Sequence, residues 1–211
     1  GERTSASANT REETPVRTSD GPDVAHYEIA GRVLEVSQKS FWQSHKDAPR
    51  VLTEVVKEFA QVVPGDRILD LYGGVGLFTA ALLAEVGCEG AIDLVEGSKS
   101  ATADAARNFE GKSNVNIYTG DVARLITRFS SADVIVLDPP REGAGKEVIA
   151  HCAQLKPRAI VYVACDPAAL ARDTGYLREA GYDLESMRAF DLFPMTHHIE
   201  SVAKFVPSKV S

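Results

Sequence analysis

Four short stretches of the chain carry side chains whose types and spacing could do chemistry. The first is Asp70-Leu71-Tyr72-Gly73-Gly74-Val75-Gly76, with Glu96 twenty residues beyond its last glycine. Glycines let a backbone turn sharply and approach a ligand closely, and a helix that follows presents its N-terminus there. A carboxylate at the end of the next strand suits the hydroxyls of a ribose, so loop and acid together read as an adenosyl-cofactor site. Thr79 stands where the last glycine of a Gly-x-Gly-x-x-Gly pattern would be, which tilts the reading away from a nicotinamide dinucleotide. The plain alternative is a glycine turn that only joins strand to helix.

The second stretch, Asp138-Pro139-Pro140-Arg141-Glu142-Gly143, follows a buried strand, and its prolines would present Asp138 on a stiff backbone. The third, Ala164-Cys165-Asp166-Pro167, sets a cysteine before a helix. A thiol there can become a nucleophile, but Asp166 opposes the charge shift this needs, and local chemistry alone favours an inert cysteine. The fourth, Phe193-Pro194-Met195-Thr196-His197-His198-Ile199-Glu200, reads in isolation as a hairpin loop with a solvated glutamate. Its histidine pair lacks companion ligands at metal spacing, so no metal is expected.

These stretches need elements to hold them. Strand patterns at Arg67–Leu71, Ala91–Val95, Val115–Tyr118, Val134–Leu137 and Ile160–Ala164 alternate with helix patterns at Leu77–Val86, Lys99–Phe109, Val122–Phe129, Lys146–Gln154 and Pro167–Ala180. Wholly apolar strands between amphipathic helices predict a doubly wound α/β domain with a mostly parallel sheet. Strands near Leu184–Leu192 and Ser201–Val206 should pair antiparallel across a short loop. Ahead of the sheet, Tyr27–Val36 reads as strand broken at Gly31, and Leu52, Val55, Val56 and Phe59 recur at helical spacing after Asp47 and Pro49. In an open sheet of this kind the loops beyond the strands' carboxyl ends share one crevice, and all four chemical stretches would face it.

Composition narrows the class. Residues 1–24 are polar and poor in bulky apolar side chains, which predicts a disordered tail or linker ahead of a globular domain over 25–211. A chain beginning at Gly1 reads as a piece of something longer. No apolar run is long enough to span a bilayer. Three scattered cysteines form no Cys-x-x-Cys pair and fit a reducing cytoplasm better than a disulfide framework; Cys88 and Cys152 read as structural. The net charge is −7, and because the first thirty residues hold six acids and three bases, −4 remains on the globular part. A nucleic-acid partner would therefore need a local cluster, such as Arg141, Lys146 and Arg172, or a further domain.

In this order, the stretches resemble the RNA uridine-5-methyltransferase family, which modifies tRNA and rRNA. The resemblance covers Gly31 to Phe205 and rests on Phe41-Trp42-Gln43, the Asp70 glycine loop, Asp-Pro-Pro-Arg at 138–141, Cys165-Asp166-Pro167 with Leu170 and Arg172-Asp173, and Phe193-Pro194 through Glu200. It implies a Rossmann-like class I methyltransferase fold, seven-stranded with the last strand antiparallel, and S-adenosylmethionine as cofactor. Cys165 is then the nucleophile and Glu200 the base that removes the carbon 5 proton. Gln43, Tyr72, Gly74, Glu96, Asp121 and Asp138 fall at cofactor positions, and Phe41 and Arg141 at the substrate. RNA is the implied partner, and many members add an N-terminal RNA-binding β-barrel that this sequence lacks. Trp42 and Ser44-His45 depart from the commoner Phe-Phe-Gln-Val-Asn form and bear on the RNA target more than on the reaction. Competing readings are a methyltransferase of another acceptor (cytosine, an exocyclic amine, a small molecule), a non-catalytic RNA-binding domain of the same fold, and an NAD dehydrogenase.

Overall fold

The computed structural model describes residues 24–43, 45–191 and 199–209. The predicted tail up to residue 23 and the loop through His198 lie outside the described residues. The chain opens with a hairpin, β1 (Val24–Ile29) and β2 (Arg32–Ser37), turned at Ala30-Gly31, and helix α1 (Ala48–Ala60) follows. Strands β3 (Arg67–Leu71), β4 (Ala91–Glu96), β5 (Val115–Thr119), β6 (Val134–Leu137) and β7 (Ala159–Ala164) then alternate with α2 (Leu77–Val86), α3 (Lys99–Asn108), α4 (Val122–Ile126), α5 (Gly145–Gln154) and α6 (Pro167–Glu179). Two strands close the chain, β8 (Tyr182–Phe190) and β9 (Glu200–Pro207).

The sheet order is β5-β4-β3-β6-β7-β9-β8; the first five strands are parallel, and β9 runs antiparallel to both β7 and β8. This is the predicted doubly wound sheet with an antiparallel last strand. From β3 the chain winds outward to β4 and β5, then returns to lay β6 on the other side of β3. The crevice beyond the carboxyl ends of β3 and β6 is thus the switch point where open α/β sheets bind ligands.

Alternation along the strands builds two cores. Ile68, Leu94, Val136 and Val163 face α1, α2 and α3, whereas Leu69, Leu71, Leu137, Tyr162 and Phe205 face α4, α5 and α6. Helix α2 is buried on almost every side, as its run Leu-Phe-Thr-Ala-Ala-Leu-Leu requires. The hairpin docks on α3 through polar side chains, with Arg107 pairing with Glu35 (3.5 Å). The Asn108 amide holds the Glu35 backbone at both N–H (2.7 Å) and C=O (3.1 Å) and also donates to Val75 O in the glycine loop (3.1 Å). Asp104 accepts from Ser37 N, Ser37 Oγ and Ser40 Oγ, fixing the segment that leads to Phe41.

Several predicted boundaries shift by a residue or more, those of α4 and β8 among them. Helix α4 stops at Ile126 rather than reaching Phe129: Thr127 Oγ1 takes the Arg124 carbonyl, Arg128 and Phe129 make tighter i→i+3 bonds, and Phe129 meets Tyr118 edge-on. Strand β8 starts earlier, at Tyr182, whose buried ring donates its hydroxyl proton to Pro157 O.

Gly76 is the tightest turn in the frame, with φ of +97° and the Phe109 ring 2.2 Å from where a Cβ would stand. Gly76→Ala should cost about 2–4 kcal/mol from strain and overlap together, whereas Gly111→Ala, at positive φ but in open space, should cost about 1 kcal/mol. Urea unfolding of the two variants measures the difference.

Candidate active site

Beside β3 the glycine loop is held by side chains from its own layer. Asp70 is fully buried at the end of β3, and its Oδ2 accepts from Thr79 N (3.0 Å) and Thr79 Oγ1 (2.6 Å), tying the loop to α2. Its Oδ1 is buried without a hydrogen-bond partner. Burial pushes the Asp70 carboxyl up to about 6, the Thr79 bonds oppose that, and the Glu96 charge adds to it. The sequence reading assigns Asp70 no role of its own; an acid inside the otherwise apolar strand Ile68-Leu69-Asp70-Leu71 is the signal that marks it.

Glu96 lies where expected, at the end of β4. Its Oε2 accepts from Gly74 N (3.1 Å) and its Oε1 from Ser98 N (2.7 Å), so the carboxylate spans the glycine loop and the start of α3. Asp121 belongs to the next strand end: Gly120 N donates to Glu96 O (2.9 Å), and exposed Asp121 caps α4 by accepting from Arg124 N (2.9 Å). Tyr72 takes a left-handed conformation (φ +61°), and its ring packs against the α5 side of the sheet. Burial, with smaller help from nearby anionic groups, pushes its hydroxyl up to about 12. Trp42 stacks on Tyr27 at 4.3 Å and packs with Val75 and Ala101, which brings the 41–43 segment to the glycine-loop side. Gln43 is half-exposed there, and Phe41 is 72% exposed.

The second half of the site lies on three adjacent strand ends. Leu137 is level with Tyr162, and Ala164 pairs with Ser201. Asp138, just past β6, Cys165, just past β7, and Glu200, the first residue of β9, therefore stand at one edge of the sheet. Asp138 is half-buried; burial and then the charges of Glu200, Asp70 and Glu96 hold its carboxyl well above the usual carboxylate range. Glu200 is 7% exposed, and burial raises it too. The half-buried Cys165 thiol is raised by burial, by Glu200 and by Asp138, with Arg141 pulling the other way. Asp166 accepts from Ala169 N (2.8 Å), so the helix N-terminus behind the thiol is already capped by an anion. The other two cysteines are apart from this edge, Cys152 buried in α5 and Cys88 exposed after α2. The solvated-glutamate reading of the last loop does not hold for Glu200.

Two members of the predicted basic cluster are held by acids. Arg172 bonds Asp173 and Glu142 O, and Lys146 pairs with Glu179 (3.4 Å) over the Tyr176 ring; Arg141 is exposed. Among the described residues no group of three or more His, Cys, Asp or Glu could hold a metal ion, and no helix is long and apolar enough to cross a membrane.

Residues 119–205 match the family model described as tRNA (Uracil-5-)-methyltransferase. That span holds both Cys165 and Glu200. Over that span the chain is similar to the RNA uracil-5-methyltransferases. An uncharacterized RNA methyltransferase of Streptomyces avermitilis is 47% identical over 180 residues, 84% of this chain and 42% of that protein. The 23S rRNA (uracil(1939)-C(5))-methyltransferase RlmD of Photobacterium profundum is 36% identical over 205 residues, 91% of this chain and 43% of that protein. The crystal structure of Pyrococcus abyssi tRNA (uracil-54, C5)-methyltransferase, in complex with S-adenosyl-L-homocysteine, superposes with a TM-score of 0.73 at 29% identity, covering 88% of this chain and 45% of that one. The sheet is that of the class I methyltransferases, and the chain spans less than half the length of these family members.

The carboxylates around the thiol give a direct test of this geometry. Replacing Glu200 by Gln removes one anion that holds the Cys165 proton on, so alkylation of Cys165 by iodoacetamide at pH 7.5 should speed up by about 3- to 10-fold. Peptide mass spectrometry separates Cys165 from Cys88 and Cys152; an unchanged or slower rate would mean that Glu200 does not face the thiol.

Proposed function

We propose that this chain is the catalytic part of an enzyme that transfers a methyl group from S-adenosylmethionine to carbon 5 of a uridine in tRNA or rRNA. The observation that carries the reading is the placement of one cysteine and one buried glutamate on neighbouring strand ends, beside Asp138 and across the switch point from a glycine loop. The cofactor fits the residues present: Asp70 keeps a buried oxygen without a partner, Glu96 stands at the strand end next to the loop, and no atom lies within 4 Å of a Cβ built at Gly74. Gln43, Tyr72, Gly74, Glu96, Asp121 and Asp138 would hold it, and an acidic crevice favours a cationic ligand. When bound, it supplies an electrophilic methyl.

Carbon 5 of uracil is a weak nucleophile. Cys165 would overcome this by adding its sulfur to carbon 6, which makes carbon 5 the nucleophilic end of an enolate. After the new carbon–carbon bond forms, a proton must leave carbon 5 before the sulfur can depart. Glu200, whose carboxyl burial makes more basic than usual, is suited to take it. Phe41, exposed on the loop side, and Arg141 on the Asp138 loop would contact the RNA, and the target base would have to leave its stack to reach the crevice. With a net charge of −7, most of the RNA affinity would come from a further RNA-binding part of the full-length protein. A cytoplasmic location goes with three cysteines that form no disulfide.

Glu200→Gln keeps the side chain's size but removes its basicity. Incubated with labelled S-adenosylmethionine and RNA from cells lacking the enzyme, this variant should accumulate a labelled protein–RNA adduct that survives denaturation, and adding Cys165→Ala should abolish it. Turnover of Glu200→Gln at the wild-type rate without adduct would remove Glu200 from the reaction.

A further inference from the structure

A buried anion behind the Asp138 loop has no place in the chemistry above. Asp173 of α6 is fully buried, and five donors converge on its carboxylate. Oδ2 accepts from Tyr162 Oη (2.7 Å), Ala144 N (2.8 Å) and Gly145 N (3.2 Å), and Oδ1 accepts from Arg172 Nε (3.0 Å) and Arg172 Nη2 (2.8 Å). Ala144 and Gly145 open α5, whose own N-cap residue Ala144 offers no side-chain acceptor. Asp173 thus caps α5 from a neighbouring helix, an anion at a helix N-terminus.

The same group grips the turn that carries Arg141. Residues 140–143 close by a bond from Gly143 N to Pro140 O (2.7 Å), and Arg172 Nη2 donates to Glu142 O (2.6 Å). Gly143 has a φ of +81°, and a Cβ there would stand 2.6 Å from Asp173 Oδ2 and 2.5 Å from Arg172 Nη2. The turn is moulded onto the clamp with no room for a side chain. One end of this segment is Asp138, and its tip is Arg141, whose charge acts on the Cys165 thiol.

We propose that Asp173 is a positioning residue. Through Tyr162 and Arg172 it fixes the 138–145 loop so that Asp138 and Arg141 face Cys165, and it acts on the chemical step rather than on cofactor affinity. The kinetic part rests on the methyltransferase reading; the mechanical part does not. Asp173→Asn tests both, because an amide offers one oxygen and turns an NH2 group on donors that now meet a carboxylate.

In Asp173→Asn, hydrogen exchange over 140–145 should rise by roughly 10- to 100-fold, as expected for lost charge-assisted bonds, while exchange in β3 and α2 stays at the wild-type rate. S-adenosylmethionine affinity by calorimetry should stay within about two-fold, and single-turnover methyl transfer to RNA should fall by roughly 10- to 100-fold. Gly143→Ala should reproduce this loss, whereas Gly111→Ala, at a similar positive φ with nothing within 4 Å of its Cβ and outside the clamp, should retain transfer. Unchanged loop exchange in a folded Asp173→Asn overturns the clamp. Transfer within two-fold of wild type, or losses of affinity and transfer in parallel with faster exchange throughout, overturns the positioning role. Should the wild-type protein methylate no RNA, the methyltransferase reading falls, and the clamp stands or falls on the exchange alone.

Discussion

The antiparallel pairing of β9 against β7 is the constraint on which the site depends. With Ala164 opposite Ser201, the residue after β7 and the first residue of β9 are brought side by side, and these are Cys165 and Glu200. A slip of one residue would send every side chain of β9 to the opposite face of the sheet. Val202, which faces the first core, and Ala203 and Phe205, which face the second, would then each meet the wrong core, so packing of the interior strand specifies the register that sets Cys165 beside Glu200. The outer strand β8 shields β9 from solvent and leaves its own side chains largely exposed.

That arrangement gathers acids in a place that disfavours their charge. Asp70, Glu96, Asp138 and Glu200 share one edge of the sheet, and each of Asp70, Asp138 and Glu200 holds its proton more tightly than usual because water is excluded. For Asp70 the sign follows from the folded value of about 6 against an ordinary 3.8: stability is fullest below the ordinary value and declines as pH rises through 6. Two cores of aliphatic side chains offset this burden. Such clustering of raised carboxyls is a mark of sites built to receive a cation or to move protons.

Much of this is legible in the amino-acid sequence because it is local. Apolar runs such as Val134-Ile135-Val136-Leu137 announce buried parallel strands, and Asp, Cys and Glu at strand ends follow from where those runs stop. What is not legible depends on contacts between distant residues. Nothing near Asn108 shows that its amide will bridge β2 and the glycine loop, and nothing near Asp173 shows that it will cap a helix formed by residues 145–154. Arg172 and Lys146 look like solvent-facing cations for phosphates until Asp173 and Glu179 are placed beside them. The burial of Glu200 is hidden for the same reason: a loop glutamate reads as solvated until the strand it opens is seen inside a sheet.

The central claim is that Cys165 and Glu200 work on adjacent carbons of one pyrimidine ring. It can be tested with the unaltered enzyme and RNA in which 5-fluorouridine replaces uridine, because a carboxylate cannot remove fluorine from carbon 5 as it would a proton. Methyl transfer should then leave the base bonded to the enzyme, and digestion should yield a peptide whose Cys165 carries a methylated fluorouridine nucleotide. Release of methylated product without an adduct, or a nucleotide bound at Cys88 or Cys152 instead, would contradict the assignment.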